Sequence, residues 1–136
     1  MFRFLISILL LLLASSTSAL KILCGPTSND NFTKHLATEF YTLEHVLEDD
    51  ETYTFSLTVK GEFHGLPLQD VMMIRTKSEK NILGAILKMH PVDDGFITHV
   101  VSIPKNEISQ YKFHVFFSDR EKLCSDSKGY YVSFST

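Results

Sequence analysis

The chain contains no tryptophan, and only 6 glycines and 4 prolines among its 136 residues. That scarcity excludes a collagen-like repeat and a proline- or glycine-rich low-complexity chain. Basic residues are not in excess either. Lys and Arg number 13 against 16 Asp and Glu, a net charge of −3, so no positive field exists to hold nucleic acid or an anionic membrane. Phosphate-binding glycine loops, the dinucleotide fingerprint, HExxH and the G-x-S-x-G nucleophile elbow are all missing. What is present is 44% hydrophobic residues, 21% charged, with 11 Phe and 5 Tyr. This is the composition of one small folded domain rather than a disordered chain.

The only long apolar run stands at the front. Met1-Phe2-Arg3 gives a short positive start, Phe4 to Ala14 is nearly all aliphatic, and Thr17 and Ala19 occupy the −3 and −1 positions of a cleavage site. Residues 1–19 therefore read as a secretory signal peptide, too short and wrongly flanked for a membrane anchor. The expected mature chain, residues 20–136, is one secreted, extracellular domain with no transmembrane anchor. Cleavage removes Arg3 and leaves it more acidic.

Two cysteines remain, Cys24 and Cys124. In an oxidising compartment an even pair most simply forms one bridge; two intermolecular bridges are the alternative. Closing a loop of about 100 residues would stabilise the fold by up to about 4.7 kcal/mol. Neither cysteine has a second ligand at zinc-finger spacing, so no metal is expected. Asn31-Phe32-Thr33 is an N-glycosylation sequon in a polar stretch, and the signal peptide favours its use at Asn31.

Thr52 to Lys60 alternates Tyr53, Phe55, Leu57 and Val59 with polar residues, the pattern of a half-buried strand. Short apolar runs follow at Val71 to Ile74 and Ile82 to Leu87, then the β-branched run Phe96 to Ile103. Alternation returns at Tyr111 to Phe117 and at Tyr130, Val132 and Phe134. Turn signals separate the runs at Lys60-Gly61-Glu62, Asp93-Asp94-Gly95, Pro104-Lys105-Asn106 and Ser127-Lys128-Gly129. The expected fold is an all-β antiparallel sandwich. One segment departs from this: Leu36, Phe40, Leu43 and Leu47 recur at helical spacing within Thr33 to Asp49. They predict a short N-terminal helix, with a strand or irregular lead-in as the rival.

Candidate chemistry is sparse. His35, His45, His64, His90, His99 and His114 form no ligand motif. His99, inside an apolar strand, is the one expected to need a polar partner; His114, alternating with Phe113 and Val115, is expected to face solvent. Glu48-Asp49-Asp50-Glu51 lacks the alternating ligands and glycine of a calcium loop and reads as a solvated turn. Glu62, Asp70, Asp93 and Asp94 carry no spacing that pairs them for glycoside hydrolysis. No catalytic residue and no cofactor is expected. The apolar residues of Leu66 to Ile74 and Ile82 to Met89 could line a ligand cavity, but core filling is the stronger expectation.

In order along the chain, Phe63, Gly65, Leu66, Leu68 and Gln69, then Leu83-Gly84-Ala85, then Ile97-Thr98-His99 resemble the motifs of the reeler domain, the N-terminal module of reelin. Cys24 stands where that family has its early cysteine. Val92-Asp93-Asp94 replaces a mid-chain cysteine of the family, and its Trp-x-x-Pro is absent, so neither disulfide pattern nor ligand site carries over. The resemblance implies an immunoglobulin-like β-sandwich. Small stand-alone members are secreted defence proteins of invertebrate body fluid; others are extracellular adhesion modules. The expected function is a monomeric, non-enzymatic binding module of innate defence, whose partner is an extracellular protein, a glycan or a microbial surface. A carrier of a small apolar ligand held between the sheets is the runner-up.

Overall fold

The computed structural model describes residues 34–78, 81–119 and 127–136. Residues 1–19, Cys24, Asn31 and Cys124 lie outside these, so the signal peptide, the bridge and the sequon are not among the described features.

Among the described residues nine strands make two antiparallel sheets: β1 (Tyr41–Leu47), β2 (Thr52–Lys60), β3 (Glu62–Phe63), β4 (Leu66–Ser78), β5 (Asn81–Ile86), β6 (His90–Val92), β7 (Gly95–Pro104), β8 (Tyr111–Ser118) and β9 (Ser127–Ser133). One sheet runs β1-β2-β7-β6. The other runs β3-β4-β8-β9, with β5 also paired to β4. Setting the short β3 aside, these are the A-B-E-D and C-F-G sheets of an immunoglobulin-like sandwich, and β5 takes the C′ position beside C.

The core follows from alternation. Phe55, Leu57 and Val59 of β2 face Tyr111, Phe113, Val115 and Phe117 of β8, all buried, together with Val132 and Phe134. Phe134 is the hub: its ring centroid lies 4.7 Å from that of Phe55 and 4.4 Å from that of Phe113. Phenylalanine thus fills the centre of a sandwich that has no tryptophan to place there.

Two bulges keep the apolar residues in phase. Opposite Tyr53 and Phe55, β7 holds one residue too many, and Ser102 takes a positive φ of 59°. The phase shift buries Ile103 as well as Val100. On β4, an extra residue at Gln69 does the same for Leu68 and Val71. The β3–β4 hairpin turns on His64 (φ 47°) and Gly65 (φ 86°), two successive positive-φ residues as a type I′ turn requires.

The structure corrects three readings of local sequence. The expected helix is not formed over residues 34–49: a 3-10 turn at Thr38–Phe40 leads into β1, which pairs with β2 along its whole length. Leu36, Phe40, Leu43 and Leu47 do not share a stripe. Leu36 is fully buried beside β9, where its amide donates to the Tyr131 carbonyl at 2.9 Å. Phe40 stacks on Phe63 at 4.6 Å, Leu43 pairs with Leu57, and Leu47 is exposed. Partner strands, not local spacing, decide this segment. Ser127-Lys128-Gly129 is not a turn but the first part of β9, hydrogen-bonded to β8. The third correction concerns β5 and leads to the functional surface.

Candidate interaction face

Core filling by Ile82 to Met89 is only partly correct. Leu87 and Met89 pack against the core, but Ile82, Leu83 and Ile86 are 61%, 63% and 69% exposed. β5 lies at the sheet margin, paired among the described residues with β4 alone, and residues 82–86 are exposed on both of its faces. An apolar run records hydrophobicity without recording whether a second layer lies over it.

The register extends this surface inward. Met72 of β4 is opposite Ile86, Ile74 is opposite Gly84, and Thr76 is opposite Ile82. On the other side of β4, Met72 adjoins His114 and Ile74 adjoins Lys112; His114 in turn adjoins Tyr131 of β9. These residues alternate with the buried Val71, Phe113, Val115 and Val132, and so lie on the outer face. Gly84 leaves room for the Ile74 side chain there. A Cβ at that position would approach Ile74 Cδ1 to 2.9 Å, so the Ile74 side chain lies over the glycine and closes the apolar strip. Lys112 Nζ sits 4.7 Å from the Tyr131 ring centroid, a cation–π contact at the far side of the strip. His114 is half-buried rather than solvent-facing. Burial holds its imidazole below the ordinary histidine range, and the positive charge of Lys112 adds to the effect.

The outer face of the other sheet provides the contrast. It presents Thr42, Glu44, Thr54, Ser56, Thr58, Lys60 and His99, with exposed Val46, Val92 and Val101 and half-buried Ile97 as apolar exceptions. A solvated antiparallel face ordinarily looks like this one.

His99 lies on that polar face and is exposed, contrary to the buried position its strand suggested. It does have a polar partner: its Nδ1 and the Ser56 hydroxyl share a hydrogen bond of 2.7 Å. Serine beside imidazole invites a hydrolytic reading, but across the strands the order is Glu44, Ser56, His99. The carboxylate flanks the serine instead of orienting the imidazole, and the pair lies on a flat strand surface rather than a strained turn. The polar residue that is buried in β7 is Thr98, whose hydroxyl donates to the Lys88 carbonyl at 2.9 Å. In Glu48 to Glu51, Asp49 accepts from the amides of Glu51 and Thr52, both at 2.8 Å, which builds the β1–β2 turn. These bonds lower the Asp49 pKa. Among the described residues no group of three or more His, Cys, Asp or Glu is placed to hold a metal ion.

Two surface depressions lie away from the outer face of β4 and β5. One of about 500 Å³ is bounded by Asp50, Glu51, Thr52, Pro104, Lys105 and Asn106, and another of about 220 Å³ lies between β1, β2 and Val92. The apolar residues considered for a ligand cavity divide between the packed core (Leu68, Val71) and exposed positions on β5 (Ile82, Leu83, Ile86).

Of the sequence-derived candidates, the structure joins His99 to Ser56 and sets Glu62 and Asp94 around one surface depression. The outer face was not singled out by sequence reasoning. The signal available was the uncharged stretch Ile82 to Leu87, which read equally well as core. No protein-family model matches the chain, no curated protein matches it significantly, and no solved structure is a significant match to its fold.

Proposed function

We propose that this chain is a secreted, non-enzymatic binding module whose contact surface is the outer face of β4 and β5 and whose partner is an extracellular protein. One observation carries the reading: Ile82 and Ile86 stand exposed and contiguous with Met72 and Ile74 on a sheet face that would otherwise be polar. Contiguous exposed apolar surface marks interaction sites. Methionine and aliphatic residues at the centre, with Lys112 and Tyr131 toward one side, match the anatomy of a protein interface better than that of a sugar site. The leader-like residues 1–19 and the reeler-like motif order support an extracellular setting, and the latter supports a role in host defence.

The test is a binding screen of the mature protein against secreted and cell-surface ectodomains, with a glycan array and intact bacterial and fungal cells in parallel. The Ile74→Lys variant, confirmed folded by circular dichroism, accompanies it. Retention of a protein partner, weakened at least about tenfold by Ile74→Lys, is the expected result. Binding to glycans alone, or equal binding by the variant, overturns the reading.

A further inference from the structure

We infer that β5 is a self-pairing edge: two copies of this chain associate by antiparallel addition of β5 to β5 around a two-fold axis at Gly84. The face described above concerns side chains; this inference concerns the backbone edge of β5 that no other described strand pairs, and stands independently of the partner proposed there.

The sheet edges differ in how they are guarded. β6 is three residues long and contains Pro91; β3 is two residues long and contains Glu62. β1 carries Glu44 and His45. The β9 edge is occupied by the lead-in segment, through hydrogen bonds of Leu36 to Tyr131 and of Tyr131 to Lys34, both 2.9 Å. Short length, proline, charge and covering chain are the usual means of preventing edge association. From Ile82 to Ile86 β5 has no charge and no proline, and its pairing with β4 runs unshifted from Thr76 to Met72.

The hydrogen-bond phase selects the occupant. The Leu87 amide donates to the Val71 carbonyl at 2.9 Å, which makes that pair hydrogen-bonded. In an antiparallel ladder the phase alternates, so Leu83 and Ala85 direct their backbone groups to β4. The N–H and C=O groups of Ile82, Gly84 and Ile86 then point away from β4, at the open edge. An antiparallel second copy centred on Gly84 places Ile82 opposite Ile86 of the second copy, Gly84 opposite Gly84, and Ile86 opposite Ile82. Every outward group then meets an outward group. The pairing also preserves parity: residues 82, 84 and 86 remain on the outer face in both copies, and the two apolar faces become one. A register shifted by one residue would turn the outer face of one copy toward the inner face of the other. A shift by two sets Ile82 or Ile86, depending on its direction, against a residue outside β5.

Size fits a weak dimer. With Ile82, Leu83 and Ile86 as the main exposed apolar groups, the pair buries at most about 1,000 Å², the lower bound of a specific interface. The departure from the monomer expected of the sequence is therefore concentration-dependent and is sought at chain concentrations of roughly 10–500 μM.

Sedimentation velocity over that range, on the secreted chain, provides the test. Ile82→Lys/Ile86→Lys sets lysine opposite lysine across the axis and is expected to abolish the dimer. Ile82→Lys/Ile86→Glu sets lysine opposite glutamate and is expected to retain it. Both sites are exposed, and thermal unfolding confirms that each variant folds. A wild type that stays monomeric throughout, or two double variants that associate equally, overturns the inference. Failure of the ectodomain screen would leave this result untouched, because Ile74→Lys changes neither residue of the Ile82–Ile86 pairing.

Discussion

Gly95, the first residue of β7, lies against the backbone of β2 so closely that a Cβ would collide with the Val59 carbonyl oxygen and come within 2.9 Å of Lys60 Cα. Both obstacles are main chain, and neither can rotate aside. Gly95→Ala is expected to cost more than about 2 kcal/mol, because the β2–β7 ladder must separate at its end. Urea unfolding of the variant checks this; an unchanged midpoint would show that the strand end yields freely.

Thr98 is the buried polar residue of β7, and its hydroxyl satisfies the Lys88 carbonyl. Thr98→Val keeps the shape and removes the donor. The expected loss is about 1–2 kcal/mol, the cost of leaving a carbonyl underbonded. Thr98→Ser keeps the donor and loses only a methyl group, so the two variants should differ in thermal midpoint if the hydrogen bond matters as described.

Phe134 touches Phe55, Phe113 and Tyr111 although it lies two residues from the end of the chain. Phe134→Ala should destabilise by about 3–5 kcal/mol, the range for a buried aromatic. A small effect in chemical denaturation would mean that the C-terminal segment is peripheral to folding.

His114 gives a pH dependence whose sign follows from burial. Its pKa is lowered in the folded chain, so the unfolded chain binds more protons between the two values. The contribution of neutral His114 to stability is complete above its unfolded pKa, about 6.5, and is lost as pH falls from there toward the folded value. Wild type should therefore lose stability relative to His114→Gln as pH is lowered through that window. Parallel stability curves for the two proteins would refute it.

For the residues outside the described structure, intact mass is decisive. Protein secreted from eukaryotic cells is expected to begin at Leu20 and to gain about 2 Da on reduction, one hydrogen for each sulfur of Cys24 and Cys124. A glycan on Asn31 should be removable with a mass change confined to that site. An unreduced mass of twice the chain would instead identify intermolecular bridges.

How far the sequence determined this protein can be seen strand by strand. Where one face is buried and the other wet, period-two alternation was sufficient: Phe55, Leu57 and Val59, and then Tyr111, Phe113, Val115 and Phe117, were legible as core because each strand carries its own record of which side is dry. The all-β sandwich followed from those strands and the turns between them.

Only the tertiary structure decided the remainder. The segment around Leu43 became a strand because β2 offered it a partner, and pairing energy across strands is not encoded in helical spacing. His99 came to the surface and Thr98 to the interior because a strand's phase is set by its register against β2. Ile82, Leu83 and Ile86 look like core residues in the sequence and stand in solvent in the fold, because burial depends on a second layer that local sequence does not specify.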